Sequence, residues 1–217
     1  MELLDDEWLP DQDEQLLMAV DAACAESHTR AAGRLDYGRG CPACCQGPFP
    51  INRLDALRLQ RGLAELAEHD AAGAQAIVLA AGHEVSALAA DFPGDGERGV
   101  LVEEEQGREA FFARHGARPC PVLDLRSGRC QLYAHRPITC RTFGPPVHLG
   151  GRDLEPCEVC FRGSAADEQA CRVAPDAGGL EDAILDRLEA LEGDQGETVI
   201  AYALARTALQ PGPRRAR

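Results

Sequence analysis

The sequence contains no lysine, since all 22 of its basic residues are arginine. That absence excludes a Schiff-base lysine and the lysine of a phosphate-binding P-loop at once. Positive charge is also scarce in total. The 22 arginines face 36 acidic residues, a formal net charge of −14, and such a chain is poorly suited to tracking a phosphate backbone. Nucleic acid is therefore not an expected partner. Long hydrophobic runs are missing too. The longest, around "AIVLAAG", is broken by Gly82 and His83, short of the roughly 18 apolar residues that read as a membrane span. The opening stretch "MELLDDEWLPDQDEQLL" is acidic and has neither the basic region nor the apolar core of a secretory signal. These absences lead to the expectation of a cytoplasmic protein with no membrane association. No internal repeat or long low-complexity tract is visible.

What the sequence has in excess is cysteine, ten residues in 217. A chain of this length, 45% hydrophobic, can bury a core without disulfides as a substitute. In a reducing compartment, clustered thiols point instead to metal or redox chemistry. One domain spanning 1–217 is expected, with cysteine-rich loops at 37–52 and 119–163 and a disordered basic tail at 211–217, "PGPRRAR".

Periodicity predicts a mainly α fold, a helical scaffold around a cysteine cluster, with irregular Cys-rich loops and a small β-hairpin. Residues about 12–32 place Leu16, Val20, Ala23, Cys24 and Ser27 on one helical face. Cys24 then behaves as a small buried hydrophobe. Asn52 can cap a helix carrying Leu54, Leu57, Leu63 and Leu66, with Asp55 at its third position. Asp70 can cap the next, which carries Val78, Ala81, Val85, Leu88 and Phe92, and the two make a helical hairpin. The stretch "VLVEEEQGREAFFARHG" fits a strand or a helix equally. "CPVLDL", "RSGR" and "CQLY" read as strand, turn and strand with Gly128 in the turn. Leu180, Ile184, Leu188 and Leu191 mark a further helix and "ETVIAYALART" a last one.

With Cys24 set aside, the remaining cysteines are Cys41, Cys44, Cys45, Cys120, Cys130, Cys140, Cys157, Cys160 and Cys171. "CPAC" and "CEVC" each have C-x2-C spacing, in which a tight turn directs two thiolates at one ion while backbone N–H groups can bond the sulfurs. Adjacent Cys44 and Cys45 tend to point apart, so they serve different sites or only one of them is a ligand. The eight thiols from Cys41 to Cys160 suit either two four-cysteine sites or one cluster with thiols to spare. Prolines 42, 121, 137, 145, 146 and 156 stiffen the loops that carry them. Pro137 can start a short helical turn that holds Cys140 near N–H donors. Arg136 and Arg141 either offset thiolate charge or are solvated surface residues. His135 and His148 are candidate replacements for a thiolate, and Cys171 is a further candidate ligand.

"CPACCQGPFPINRLDALRL" followed by "CPVLDLRSGRCQLYAHRPITCRTFG" resembles the YkgJ-type cysteine-cluster family, also called CxxCxxCC or zinc- or iron-chelating domain. The resemblance rests on the Cys-Cys doublet and on the C-P-x-L…C-x-x-Y-x-x-R-P-x-x-C-R-x-F block, here Cys120 to Phe143, and covers about 41–143. It implies metal chelation, with zinc and an iron–sulfur cluster both open. The family pattern has an earlier cysteine where this chain has Gly38, so Cys157 or Cys160 would supply the replacement. A flagellin lysine methylase carries a similar cluster associated with iron–sulfur chemistry. This chain shows no Gly-rich S-adenosylmethionine loop after a strand, so that activity does not transfer. The ferredoxin run C-x2-C-x2-C-x3-C-P is absent as well. Three functions remain in view: a metal-binding protein, an enzyme supported by its cluster or using reactive thiols, and a metal-stabilised module for an unidentified protein partner.

Overall fold

The computed structural model describes residues 8–36, 42–149, 151–176 and 178–207, apart from the side chain at position 43. Cys41, Gly38 and the tail 211–217 lie outside the described residues. The fold is mainly α. In chain order the helices are α1 (Trp8–Ala31), α2 (Arg53–His69), α3 (Ala71–Leu88), α4 (Glu105–His115), α5 (Ile138–Thr142), α6 (Ala165–Cys171), α7 (Leu180–Glu192) and α8 (Ile200–Ala205). Three antiparallel two-stranded hairpins complete it among the described residues: β1 (Gly94–Asp95) with β2 (Val100–Leu101), β3 (Leu123–Asp124) with β4 (Arg129–Cys130), and β5 (Val147–Leu149) with β6 (Arg152–Leu154). The sequence predicts only the second of these.

The chain divides into two compact units, each assembled from separated segments: Met1–Cys44 with Pro137–Asp194, and Cys45–Arg136 with Gln195–Arg217. The cut falls inside the cysteine doublet.

In the first unit α1 buries Leu9, Leu16, Val20, Cys24, Ser27 and Ala31 along one stripe, the face expected from the 3.6-residue period. Helices α5, α6 and α7 pack on α1. Cys24 takes the place of a small apolar residue, and its Sγ also donates to the Arg141 carbonyl at 3.6 Å. Helix α6 starts at a reciprocal capping box in which the Ser164 and Asp167 side chains each satisfy the other's backbone N–H, an arrangement that closes two orphan donors of the first turn.

In the second unit Asn52 caps α2 by accepting from the Asp55 N–H at 2.9 Å. Asp70 both ends α2, donating to Leu66, and caps α3 by accepting from the Gly73 N–H. Each cap contributes about 1 kcal/mol. The α2–α3 hairpin predicted from these signals is present, and α8 packs against both helices. The core they share holds Leu59, Leu63, Ile77, Ala81, Val122, Leu132 and Leu204. At roughly 1.5–3 kcal/mol for each large aliphatic side chain, this burial is what holds the unit together. Two backbone bonds between Ile51 and Thr198, 2.8 and 2.9 Å, tie the entry to α2 to the entry to α8. The undecided stretch resolves into both alternatives, β2 and then α4.

Candidate metal centre

The hairpin β3–β4 sets the geometry around three of the predicted ligands. Leu123 pairs with Cys130 and Asp124 with Arg129. Gly128 takes the tight-turn position at φ 68°, where a β-carbon would be strained. The Asp124 carboxylate organises this turn by accepting from Ser127 Oγ at 2.7 Å and from the Arg126 N–H at 3.0 Å. Those bonds hold its carboxyl below the usual aspartate range, with the Ser127 hydroxyl the largest cause.

Cys120 sits just ahead of β3. Its N–H donates to the Cys45 carbonyl at 2.9 Å, and its own carbonyl accepts from Leu123 at 3.0 Å. A further bridge joins Gln46 to Pro119, and Gly47 donates to Arg118 at 2.7 Å. Chain positions 75 residues apart are thereby laid side by side, and Cys45, Cys120 and Cys130 come onto one hydrogen-bonded stretch of backbone. Cys45 is buried, while Cys120 and Cys130 are half-buried against the core of their unit.

In the first unit the pair Cys157 and Cys160 forms one closed turn. The N–H groups of Cys160 and Phe161 both donate to the Cys157 carbonyl, at 3.0 and 2.8 Å, the compact geometry expected of C-x2-C. The Cys157 N–H reaches the Gly144 carbonyl at 3.1 Å, which links this turn to the segment just after α5, where Cys140 is buried. Pro137 stands at the N-cap of α5, as its position in the sequence predicts. Cys160 is buried with Ala31, Leu35, Phe161 and Cys171, and Cys157 packs on the same cluster. Cys44 is half-buried in the 3-10 turn Ala43–Cys45. Of the candidate ligands, only Cys41 is not described.

The flanking groups are largely committed elsewhere. Arg141 is only 7% exposed, and its Nη1 donates to both carboxylate oxygens of Asp21 of α1, at 3.0 and 2.9 Å. It is therefore not the solvated surface residue of the alternative reading. Arg136 stacks on the Tyr133 ring, 3.7 Å from its centroid, and donates to the Tyr133 carbonyl. His135 pairs with Glu65 at 3.0 Å. His148 pairs with Asp153 at 2.8 Å across the β5–β6 hairpin, and holds the Asp153 carboxyl below its usual range. Neither Asp21–Arg141, separated by 120 positions, nor the enclosure of Cys171 beside Cys160 has a local sequence signal.

The donor chemistry fits a borderline or soft metal: thiolates suit zinc and iron–sulfur clusters and do not suit the hard cations calcium and magnesium. Among the described residues, no three His, Cys, Asp or Glu side chains already stand in a metal-holding arrangement. The backbone brings thiols into shared turns and strands without closing a ligand shell from those residues.

No curated protein and no solved structure matches this chain. A family model does, over residues 38–160, and its description reads CxxCxxCC, "Putative zinc- or iron-chelating domain". The match begins at Gly38, ends at Cys160 and spans more than half of the chain. The protein with the doublet Cys44–Cys45, Cys120 ahead of the β3–β4 hairpin and Cys130 within it belongs to the CxxCxxCC family.

Proposed function

We propose that this protein is a cytoplasmic metal chelator that holds zinc or an iron–sulfur cluster through thiolates drawn from Cys41, Cys44, Cys45, Cys120, Cys130, Cys140, Cys157 and Cys160. One observation carries the reading. The family match, 38–160, encloses these eight cysteines and leaves out Cys24 and Cys171, and Cys24 is the residue whose helical face already accounts for it.

The chain's own part is to fix its thiols in stiff loops before metal arrives. Pro121 and the Cys45–Cys120 backbone bond restrain one loop. Pro156 and the turn closed on the Cys157 carbonyl restrain another. Pre-ordered loops lose less entropy on binding, and the free energy of chelation then adds to folding stability. Because each ligand must be a thiolate, affinity falls with acid. A bound zinc ion would supply structural crosslinking, and a cluster would add one-electron redox capacity.

The test is anaerobic purification followed by zinc, iron and acid-labile sulfide analysis and a visible spectrum on one sample. Iron with matching sulfide and a brown chromophore identifies a cluster. Colourless protein with stoichiometric zinc identifies a zinc site. Protein purified under these conditions with neither metal overturns the reading.

A further inference from the structure

The second unit has a cleft of about 250 Å³ between the start of α2, the β1–β2 turn, and the segment leading into and along α8. Arg53, Arg98 and Arg206 line it together with the neutral groups Gln195, Thr198 and Tyr202, and among the described residues no aspartate or glutamate does. In a chain with 36 acidic and 22 basic residues, a cleft lined by Arg98 and Arg206 is opposite in sign to the chain as a whole.

The local structure explains how the cleft stays positive. Asp95, on the same turn as Arg98, is occupied by that turn: its carboxylate accepts from the N–H groups of Glu97 and Arg98, both at 2.9 Å. Glu197, next to Thr198, is paired with Arg108. Arg206 lies over the Tyr202 ring, 5.6 Å from its centroid, and touches the Gly96 carbonyl at 3.5 Å. Among the described residues, no carboxylate pairs with either Arg98 or Arg206. The floor is rigid. Tyr202 is buried against Phe92, with ring centroids 4.5 Å apart. Gly99, at φ 69°, approaches that ring so closely that a β-carbon would stand 2.4 Å from it. The Tyr202 hydroxyl is buried with no hydrogen-bond partner among the described residues.

We propose that this cleft binds a small, multiply charged oxyanion, an organic phosphate or polycarboxylate, between Arg98 and Arg206. Guanidinium forks bind both anions in bidentate fashion, and several converging on one cavity select ligands with more than one negative charge. The chain's net charge is negative, so affinity here comes from local contacts. That gives a clean control, because an arginine elsewhere on the surface contributes the same net charge and none of the contacts. Arg126, almost fully exposed on the β3–β4 turn, serves that purpose.

The experiment is isothermal titration of the full-length, metal-loaded protein with inorganic phosphate, 3-phosphoglycerate and tricarballylate, weak chelators that leave thiolate-bound metal in place. Saturable one-to-one binding of 3-phosphoglycerate or tricarballylate is expected, tighter than inorganic phosphate, and the better ligand distinguishes phosphate from carboxylate recognition. Arg98→Gln and Arg206→Gln, both at exposed side chains, should each weaken it about tenfold, while Arg126→Gln should leave it unchanged. No saturable binding of any probe, or equal loss in Arg126→Gln and Arg98→Gln, overturns the proposal. Metal content measured on the same samples keeps this outcome separate from that of the chelation reading.

Discussion

The N–H of Cys120 donates to the carbonyl of Cys45 across 2.9 Å. This bond joins the cysteine doublet to the "CPVLDL" segment and brings two predicted ligands onto neighbouring backbone. If both thiols hold metal, Cys45→Ser, Cys120→Ser and Cys130→Ser should each lower bound metal and thermal stability together, since chelation contributes to folding. Cys24→Ser, on the buried face of α1, should lose some stability and keep its metal. Metal retained at full stoichiometry in the first three would remove them from the ligand set.

Asp55 and Arg58 form an ion pair buried at the start of α2, with side chains 4% and 0% exposed. Asp55→Asn would remove the carboxylate charge that faces the guanidinium, and should cost about 3–5 kcal/mol in urea denaturation. Replacing both with apolar residues of similar size, Asp55→Leu with Arg58→Met, should recover much of that loss. A single substitution costing under about 1 kcal/mol would mean that the remaining contacts of Arg58 carry the charge.

Gly62 lies inside α2 where a β-carbon would come within 2.7 Å of three ring and β-carbon atoms of His135. In an ordinary helix interior, alanine is better than glycine by roughly 0.5–1 kcal/mol. Here the sign should reverse, because the added methyl group displaces His135 from Glu65 and disturbs the 3-10 turn Tyr133–His135 that follows Cys130. Gly62→Ala is expected to destabilise by about 1–3 kcal/mol. An unchanged or raised melting temperature would contradict this close approach.

The turn of the β3–β4 hairpin has its own pH dependence. Asp124 has a lowered pKa in the fold, so its contribution is fully present above the unfolded aspartate value of about 3.9 and is lost as pH falls through the lower folded value. Carboxyl-carbon NMR should place the Asp124 midpoint below that of an unfolded aspartate. Ser127→Ala, which removes the leading hydrogen bond, should move it upward. An identical midpoint in the two proteins would show that Ser127 is not the cause.

Local signals were readable where one residue type does a defined job. Asn52 and Asp70 cap the helices that follow them, Pro137 starts α5, and Gly128 turns the hairpin. Residues 100–115 were ambiguous because β2 is two residues long and α4 buries only Phe111, leaving no stripe to give a period. Leu191 fits the α7 pattern yet is 55% exposed at the helix end, since periodicity continues past the point where packing stops. The two-unit division was hidden because each unit is built from segments far apart in the chain. The Arg98–Arg206 cleft was hidden for the same reason: the two arginines come from a turn and the C-cap of α8, 108 positions apart. For the thiols, the sequence shows the loops and the family motif, but ligand grouping depends on long-range pairing such as Cys45 with Cys120.

The most direct measurement is metal stoichiometry in two anaerobically purified variants compared with the parent protein. One is Cys24→Ser with Cys171→Ser, outside the matched segment. The other is Cys45→Ser with Cys120→Ser, within it. Parental metal content is expected in the first and loss of bound metal in the second. Full metal in the second, or loss confined to the first, would contradict it.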